Sequence, residues 1–313
     1  MDSAVRPFIP GSSESVRSYC ELMIDFEGAS HRSPLSEGLI FELTLVPPAA
    51  TLENGGAGAR DTPHFPFSAQ ATYVLVRPLQ QGSNYRSQLW VAKQVFPNDE
   101  EGGAELVLKF IIPSHLELPR DDTNESFIMW GAYIYPDDVA AYQVAAYNTL
   151  AMHQGATVPY FYGAHKVTAP WGEVVSVLAI EYIAGVPFRS IRTVVNSDAP
   201  CLATLKKYRD YEHYFALFKS AIDTIEAAHA NGVQHGDVRD ANMLVDVVHD
   251  RIVLIDWTND SPPHLARTGL LHDPALQHFD DVLEMCLRFM DCDRHHDRLS
   301  EYVFATYPLL RDQ

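Results

Sequence analysis

The chain has 313 residues, 47% hydrophobic and 20% charged, the balance of a globular protein with enough material for one large or two modest domains. Asp and Glu outnumber Lys and Arg by 41 to 23, for a formal net charge of -18, which argues against a surface for nucleic acid or another polyanion. Met1–Pro10 lacks a basic stretch leading into an apolar core, no run of about 18 apolar residues occurs, and Cys20, Cys201, Cys286 and Cys292 are too few and too scattered for a disulfide framework. The expected setting is intracellular, in the cytoplasm, with reduced thiols and without membrane or nucleic-acid partners. Cys286 and Cys292 lie near His295 and His296, but the spacing fits no usual zinc site.

Residues 1–35 are rich in Ser, Pro and charge with little periodicity, and read as a loosely ordered lead-in. Leu39–Val46 is a strand candidate ended by Pro47 and Pro48. The glycine cluster at Asn54–Arg60 reads as a flexible loop, because it lacks the Gly-Lys-Ser/Thr ending of a phosphate loop and opens no helix. Three apolar runs, Thr72–Arg77, Gln88–Phe96 and Glu105–Ile112, predict strands; Pro78–Ser87 joins the first two and holds one glycine, Gly82. Pro136–Met152 has helical composition, with Pro136 and Asp137 suited to its start, Gly155 to its end, and Val139, Tyr142, Ala146 and Leu150 on one stripe.

Val158–Val167 and Val174–Gly185 predict two more strands around a Pro170-Trp171-Gly172 turn. Tyr211–Asn231 is the clearest helix: Phe215, Phe218, Ile222 and Ile225 share a face and Gly232 ends it. Met243–Val247 and Arg251–Ile255 read as a hairpin about a polar turn at His249 and Asp250. Thr258–Arg267 is loop-like, His278–Met290 is a further helix, and no internal repeat is visible.

Val233–Trp257 carries the densest polar pattern in the chain. His235, Asp237, Arg239 and Asn242 fall in one loop, and a tight hairpin would return Asp256 beside Asn242. Phosphoryl transfer needs a carboxylate near the attacking hydroxyl and hard oxygen ligands for Mg²⁺ on the nucleotide phosphates. Asp237 suits the first need, Asn242 and Asp256 the second. The order His235-x-Asp237-x-x-x-x-Asn242, then Asp256, resembles the catalytic loop and metal motif of the protein-kinase-like superfamily. In overall flavour the chain is most similar to the divergent fungal protein-kinase-like proteins.

The resemblance implies an α+β, bilobal protein-kinase-like fold with a β-rich small lobe and a mainly helical large lobe. Residues 1–70 would form an N-terminal extension with an extra strand, 71–184 the small lobe and 185–313 the large lobe. It implies ATP and Mg²⁺ as cofactors and a hydroxyl acceptor on a protein or small molecule. Asp237 is then the base or orienting carboxylate. Arg239 stands where Ser/Thr kinases place a lysine that touches the transferred phosphate, His235 holds the loop, and Asn242 and Asp256 hold Mg²⁺. Lys109, on the last strand before the helix, is preferred to Lys93 as the phosphate-gripping lysine. Gln143 takes the place of its glutamate partner, able to hydrogen-bond the lysine but not to neutralise it, and Asp138 is the one nearby acid that could substitute.

Gly82 is the single glycine where a G-x-G-x-x-G loop would lie. Ile180 would flank the adenine pocket, with Glu181 and Ile183 offering backbone groups to the adenine edge. Asp280 or Asp281 would brace the catalytic loop. Gly236 in place of an arginine, and Trp257-Thr258 in place of Phe-Gly, imply a site without an activation-loop switch. Three functions follow from the same residues: transfer to a protein Ser/Thr hydroxyl, which leads; a small-molecule kinase of the aminoglycoside and choline kinase type, favoured by His-Gly-Asp and the missing Ala-Pro-Glu; and a nucleotide-binding pseudokinase serving as an interaction module, favoured by Gly82 alone and by Gln143.

Overall fold

Glu105–Ile112 is apolar at nearly every position, a pattern that suits a strand covered on both faces. The computed structural model, which describes residues 6–48, 59–82, 85–95, 103–129, 133–258 and 274–312, places it in the interior of a six-stranded sheet. The strands are β1 (Ile40–Thr44), β2 (Gln70–Gln80), β3 (Ser87–Gln94), β4 (Glu105–Ile111), β5 (Phe161–Thr168) and β6 (Val174–Glu181). Their order is β1-β2-β3-β4-β6-β5, with every pair antiparallel.

Side chains alternate across this sheet, so one strand serves two cores. Leu106, Leu108 and Phe110 of β4 join Val175, Val177 and Ala179 of β6 in a core with Phe41, Tyr73 and Trp90. Ile111, Leu178 and Ile180 face the other way, into the core shared with the helices. Lys109 lies on that second face and is itself buried.

Eight α-helices occur among the described residues: α1 (Ser13–Arg32), α2 (Glu125–Met129), α3 (Pro136–Thr149), α4 (Phe188–Val195), α5 (Ala203–Lys206), α6 (Tyr211–Ala230), α7 (Pro274–Met290) and α8 (His296–Thr306). A small antiparallel sheet, β7 (Val186–Pro187), β8 (Met243–Asp246) and β9 (Arg251–Leu254), lies between them in sequence. The architecture is a mixed α/β one with antiparallel sheets. None of the described helices is long and apolar enough to cross a membrane.

The central helix forms where the periodicity predicts it. Asp210 caps α6 by accepting from the Glu212 amide at 3.0 Å, and Gly232, at φ +72°, follows its end. Phe218, Ile222 and Ile225 are fully buried, while Phe215 is half-buried against Tyr302, with ring centroids 4.8 Å apart.

Three expectations are corrected. The described part of the expected lead-in is not loose: Ser13–Arg32 is a 20-residue helix capped by Ser12, while residues 1–5 lie outside the described residues. Val16, Tyr19, Met23 and Ser30 form a helical stripe hidden among Ser and charged residues; the first three gain burial from Phe8 and from Tyr133 and Tyr135, distant in sequence, and Ser30 meets His115 at 3.1 Å. Of the stripe expected on α3, Ala146 and Leu150 are buried, whereas Val139 and Tyr142 are half-buried and Ala140, Gln143 and Tyr147 take the interior positions instead. Small alanines allow close approach to the sheet, and Tyr147 stacks on Phe161 at 5.2 Å. β2 runs through Pro78 to Gln80, with ladder irregularities around Arg77 and Pro78, where a residue without an N–H is tolerated. Residues 54–58 of the glycine cluster and 259–267 of the loop after Thr258 lie outside the described residues.

Phe218 is fully buried, whereas Met152 is 75% exposed. Urea denaturation should therefore show a loss of about 3–5 kcal/mol for Phe218→Ala and a change within about 0.5 kcal/mol for Met152→Ala.

Candidate active site

The β8–β9 hairpin pairs Met243 with Leu254 and Asp246 with Arg251, turning at Asp250, whose φ is +50°. This register delivers the next residues to the polar loop: the Ile255 amide donates to the Asn242 carbonyl at 3.0 Å. Asp256 then adopts φ +64°, a left-handed conformation that Asp tolerates better than most residues. Trp257, fully buried, donates from Nε1 to the Leu254 carbonyl at 2.8 Å and packs on His235 at 4.7 Å between ring centroids.

Asp256 meets the sheet here. Its Oδ1 is paired with the Lys109 ammonium, which reaches it from β4. Burial works against the charged carboxylate, but the charge and the hydrogen bond of Lys109, with the nearby Arg239 charge, together hold the Asp256 carboxyl below the usual range. Lys93, by contrast, is 42% exposed and pairs with Glu105 at 3.4 Å on the neighbouring strand.

The polar loop is built on Asn242. Its Nδ2 donates to both the carbonyl and Oδ2 of Asp237, each at 2.9 Å, and its own amide donates to the Arg239 carbonyl at 2.8 Å. With Nδ2 so committed, Oδ1 is the atom left to ligate a cation. Asp237 is 44% exposed and also pairs with Arg239 Nε at 3.0 Å.

His235 is fully buried. Its Nε2 lies 3.0 Å from the Ile255 carbonyl, which can only accept, and its Nδ1 receives the Asp237 amide at 3.4 Å. The ring is therefore the neutral Nε2–H tautomer, and burial pushes its pKa down. The loop is braced by Asp281 of α7, which accepts from the His235 amide at 2.7 Å, the Gly236 amide at 3.0 Å and His229 Nε2 at 3.0 Å. Burial opposes its charge, yet these donors hold its carboxyl below the ordinary range. Asp280, the other candidate for the brace, is exposed.

The remaining expected site residues behave differently. Gln143 is buried on α3, but its Oε1 has no hydrogen-bond partner, and the lysine it was expected to hold is ion-paired to Asp256. Asp138 lines a separate cavity at the start of α3. Ile180 and Ile183 are buried. Glu181 commits its amide to the Tyr160 carbonyl at 2.9 Å and its carboxylate to Arg60, at 2.7 and 2.8 Å. Gly82 takes φ +113° in the β2–β3 connection, where an added Cβ would meet nothing within 4 Å, so backbone conformation alone calls for glycine there.

Sequence reading missed Arg60. It bridges Glu181 to the Ala156 carbonyl at 2.5 Å, and to Asp246 at 3.8 Å, an aspartate also held by Arg251 at 3.2 Å. An isolated arginine after a glycine run carries no local signal of this role. Among the described residues no group of three or more His, Cys, Asp or Glu side chains forms a metal cluster; His295 and His296 instead hydrogen-bond the Tyr208 and Met290 carbonyls at 3.2 and 2.8 Å.

In chemical terms the cluster offers a half-exposed carboxylate, an amide oxygen and a second carboxylate, all hard oxygen donors, beside a buried ammonium and an exposed guanidinium. No protein-family model matches the chain, and no curated protein matches it in sequence.

The lowered Asp281 carboxyl contributes stability that is present above about pH 4 and lost as the pH falls further, because the unfolded chain binds that proton more readily. The buried neutral His235 adds an earlier loss below about pH 6.5, by the same linkage. Urea denaturation of Asp281→Asn should show a cost of about 1.5–3 kcal/mol at pH 7 and a shallower decline below about pH 4 than in the unsubstituted protein.

Proposed function

We propose that the chain is an ATP-dependent phosphotransferase of the protein-kinase-like type, with the six-stranded sheet acting as a small lobe and the helices from α4 onward as a large lobe. One observation carries this reading: Lys109 on the sheet and Asp256 after the hairpin, 147 residues apart, form an ion pair, and Asp256 is joined through Ile255 to a loop in which Asn242 holds Asp237. Convergence of a cation and hard oxygen donors is what a magnesium-bound nucleoside triphosphate requires.

The donor set fits that group. Asn242 Oδ1 and the Asp256 carboxylate would hold Mg²⁺, which supplies charge neutralisation on the phosphates when bound. Lys109, freed from sole pairing with Asp256, would bind phosphate oxygens as a point charge. Asp237 receives the proton of the acceptor hydroxyl, and the Asn242 and Arg239 contacts fix the carboxylate orientation for that transfer. Arg239, on the open side, offers its planar fork to the group being transferred. The buried His235–Trp257 contact and the Asp281 brace keep the loop from swinging away, which favours a permanently assembled site. The leading acceptor is a protein Ser/Thr hydroxyl; the His-Gly-Asp order keeps a small-molecule acceptor as the alternative.

A second reading, a nucleotide-binding module without turnover, is favoured by Gln143. Its Oε1 is buried without a partner, so nothing on α3 competes with Asp256 for Lys109 as a carboxylate at that position would.

Mg²⁺-ATP should raise the melting temperature by several degrees, and Asp256→Ala should abolish the shift; no shift at millimolar nucleotide in the unsubstituted protein would rule out all nucleotide-dependent readings. With labelled ATP and a mixed peptide and metabolite panel, Asp237→Asn should lower transfer by at least about 100-fold while nucleotide affinity stays within about threefold. Absence of transfer to any acceptor, with binding intact, selects the module. Gln143→Glu should raise turnover if that position limits the enzyme, read from initial rates at saturating ATP.

A further inference from the structure

The six-stranded sheet and the three-stranded sheet are tied together at one junction. β6 ends at Glu181, and after the short connection 182–185 the chain enters β7, where Val186 pairs with Val245 of β8. The connection is packed tightly against that strand: a Cβ on Gly185 would stand 3.1 Å from Leu244 Cβ and 3.2 Å from the Val245 carbonyl oxygen. A second tie runs through the loop before β5. The Leu254 amide of β9 donates to the Thr157 carbonyl at 2.8 Å, and the Arg251 guanidinium reaches the Gly155 carbonyl at 3.4 Å.

Arg60, which belongs to none of these strands, joins both ties. Its amide donates to the Gly155 carbonyl and its carbonyl accepts from the Tyr160 hydroxyl, each at 2.8 Å. Its guanidinium serves three elements at once. Nε and one terminal nitrogen donate to the two oxygens of Glu181 at 2.7 and 2.8 Å; the other terminal nitrogen donates to the Ala156 carbonyl at 2.5 Å and lies 3.8 Å from Asp246 Oδ2 at the end of β8. The side chains of Arg60, Glu181 and Asp246 are 15%, 6% and 8% exposed, and separating buried charges leaves each without its partner, so the arrangement is a stiff one.

The segment that carries Arg60 is anchored at its other end in the sheet core. Phe65 is buried and packs edge-on against Tyr162, with ring centroids 5.2 Å apart, and the Ser68 amide donates to the Leu45 carbonyl at 2.8 Å. Residues 60–68 therefore form a strap with an apolar anchor in the sheet and an ionic one at the junction. What the strap aligns is the candidate site. β6 pairs with β4, placing Leu178 opposite Lys109, while the β8–β9 hairpin begins directly after Asn242 and leads into Asp256.

We propose that Arg60 is a positioning residue: through Glu181, the Ala156 carbonyl and Asp246 it holds the sheet and the hairpin in the one arrangement that sets Lys109 against Asp256 and Asn242 before any ligand arrives. The consequence for nucleotide rests on the phosphotransferase reading; the hold on the junction does not. Lysine at this position keeps a charge beside Glu181 but lacks the planar fork that reaches all three partners together.

Hydrogen–deuterium exchange of the full chain reads the junction directly. In Arg60→Lys the 154–158 and 181–186 segments and β9 should exchange at least about tenfold faster, with β3 within about twofold of the unsubstituted chain. Equal acceleration in β3, the mark of a residue that only adds global stability, or no acceleration at the junction overturns the proposal. Titration with Mg²⁺-ATP reads the site. If the variant holds the aligned arrangement about one-fifth of the time, the Kd for Mg²⁺-ATP, and KM with it, should rise about fivefold, while kcat at saturating nucleotide stays within about twofold. Unchanged nucleotide affinity, or a fall in kcat with KM unchanged, overturns the positioning role. Should Arg60→Lys fail to fold, Arg60→Met combined with Glu181→Gln, which removes both charges of the pair, replaces it with the same expected outcomes. If the unsubstituted chain binds no nucleotide, the phosphotransferase reading fails by itself, and the exchange comparison alone decides the strap.

Discussion

A single buried ammonium organises the centre of this molecule. Lys109 sits on an interior strand with only 4% of its surface exposed, and a lysine charge in that position is costly unless a carboxylate meets it. Asp256 meets it, and the demands on Asp256 propagate outward. The residue must leave β9 in a left-handed turn, the hairpin must keep its register, and Trp257 must pack beneath His235 so that the turn cannot relax. One ion pair therefore ties the six-stranded sheet to the polar loop.

Two further carboxylates act as fasteners around this centre. Asp281 gathers two consecutive loop amides and a histidine, fixing the loop to α7. Glu181 takes both arms of Arg60 and the Tyr160 amide, fixing the end of β6 to the segment before β2. Because breaking one partner of a buried pair leaves an uncompensated charge, such contacts act as geometric constraints more than as net sources of stability. The bulk of the stabilising free energy comes from the apolar cores on the two faces of the sheet, at about 1.5–3 kcal/mol for each large side chain fully buried.

Much of this was legible beforehand. The β-rich order, the long α6 and the β8–β9 hairpin all follow from local periodicity and punctuation, and Asp237, Asn242 and Asp256 stand out because their spacing is short and a tight hairpin closes it. The errors share one cause. α1 is an ordinary polar helix until Phe8, Tyr133 and Tyr135 cover one stripe of it. The buried face of α3 is rotated toward Ala140, Gln143 and Tyr147 because the sheet favours small residues at its closest approach. The sequence pattern points to α3 for the partner of Lys109, where a glutamine stands, whereas Asp256 takes that lysine.

Local sequence therefore determined the elements and the polar loop, whose groups lie close enough along the chain to constrain one another. Pairings across long separations were a matter for the folded molecule alone: Lys109 with Asp256, Arg60 with Glu181, α1 against Tyr135. Such pairs depend on which faces the two cores bury, and burial is a property of the assembled surfaces that no single stretch of chain encodes.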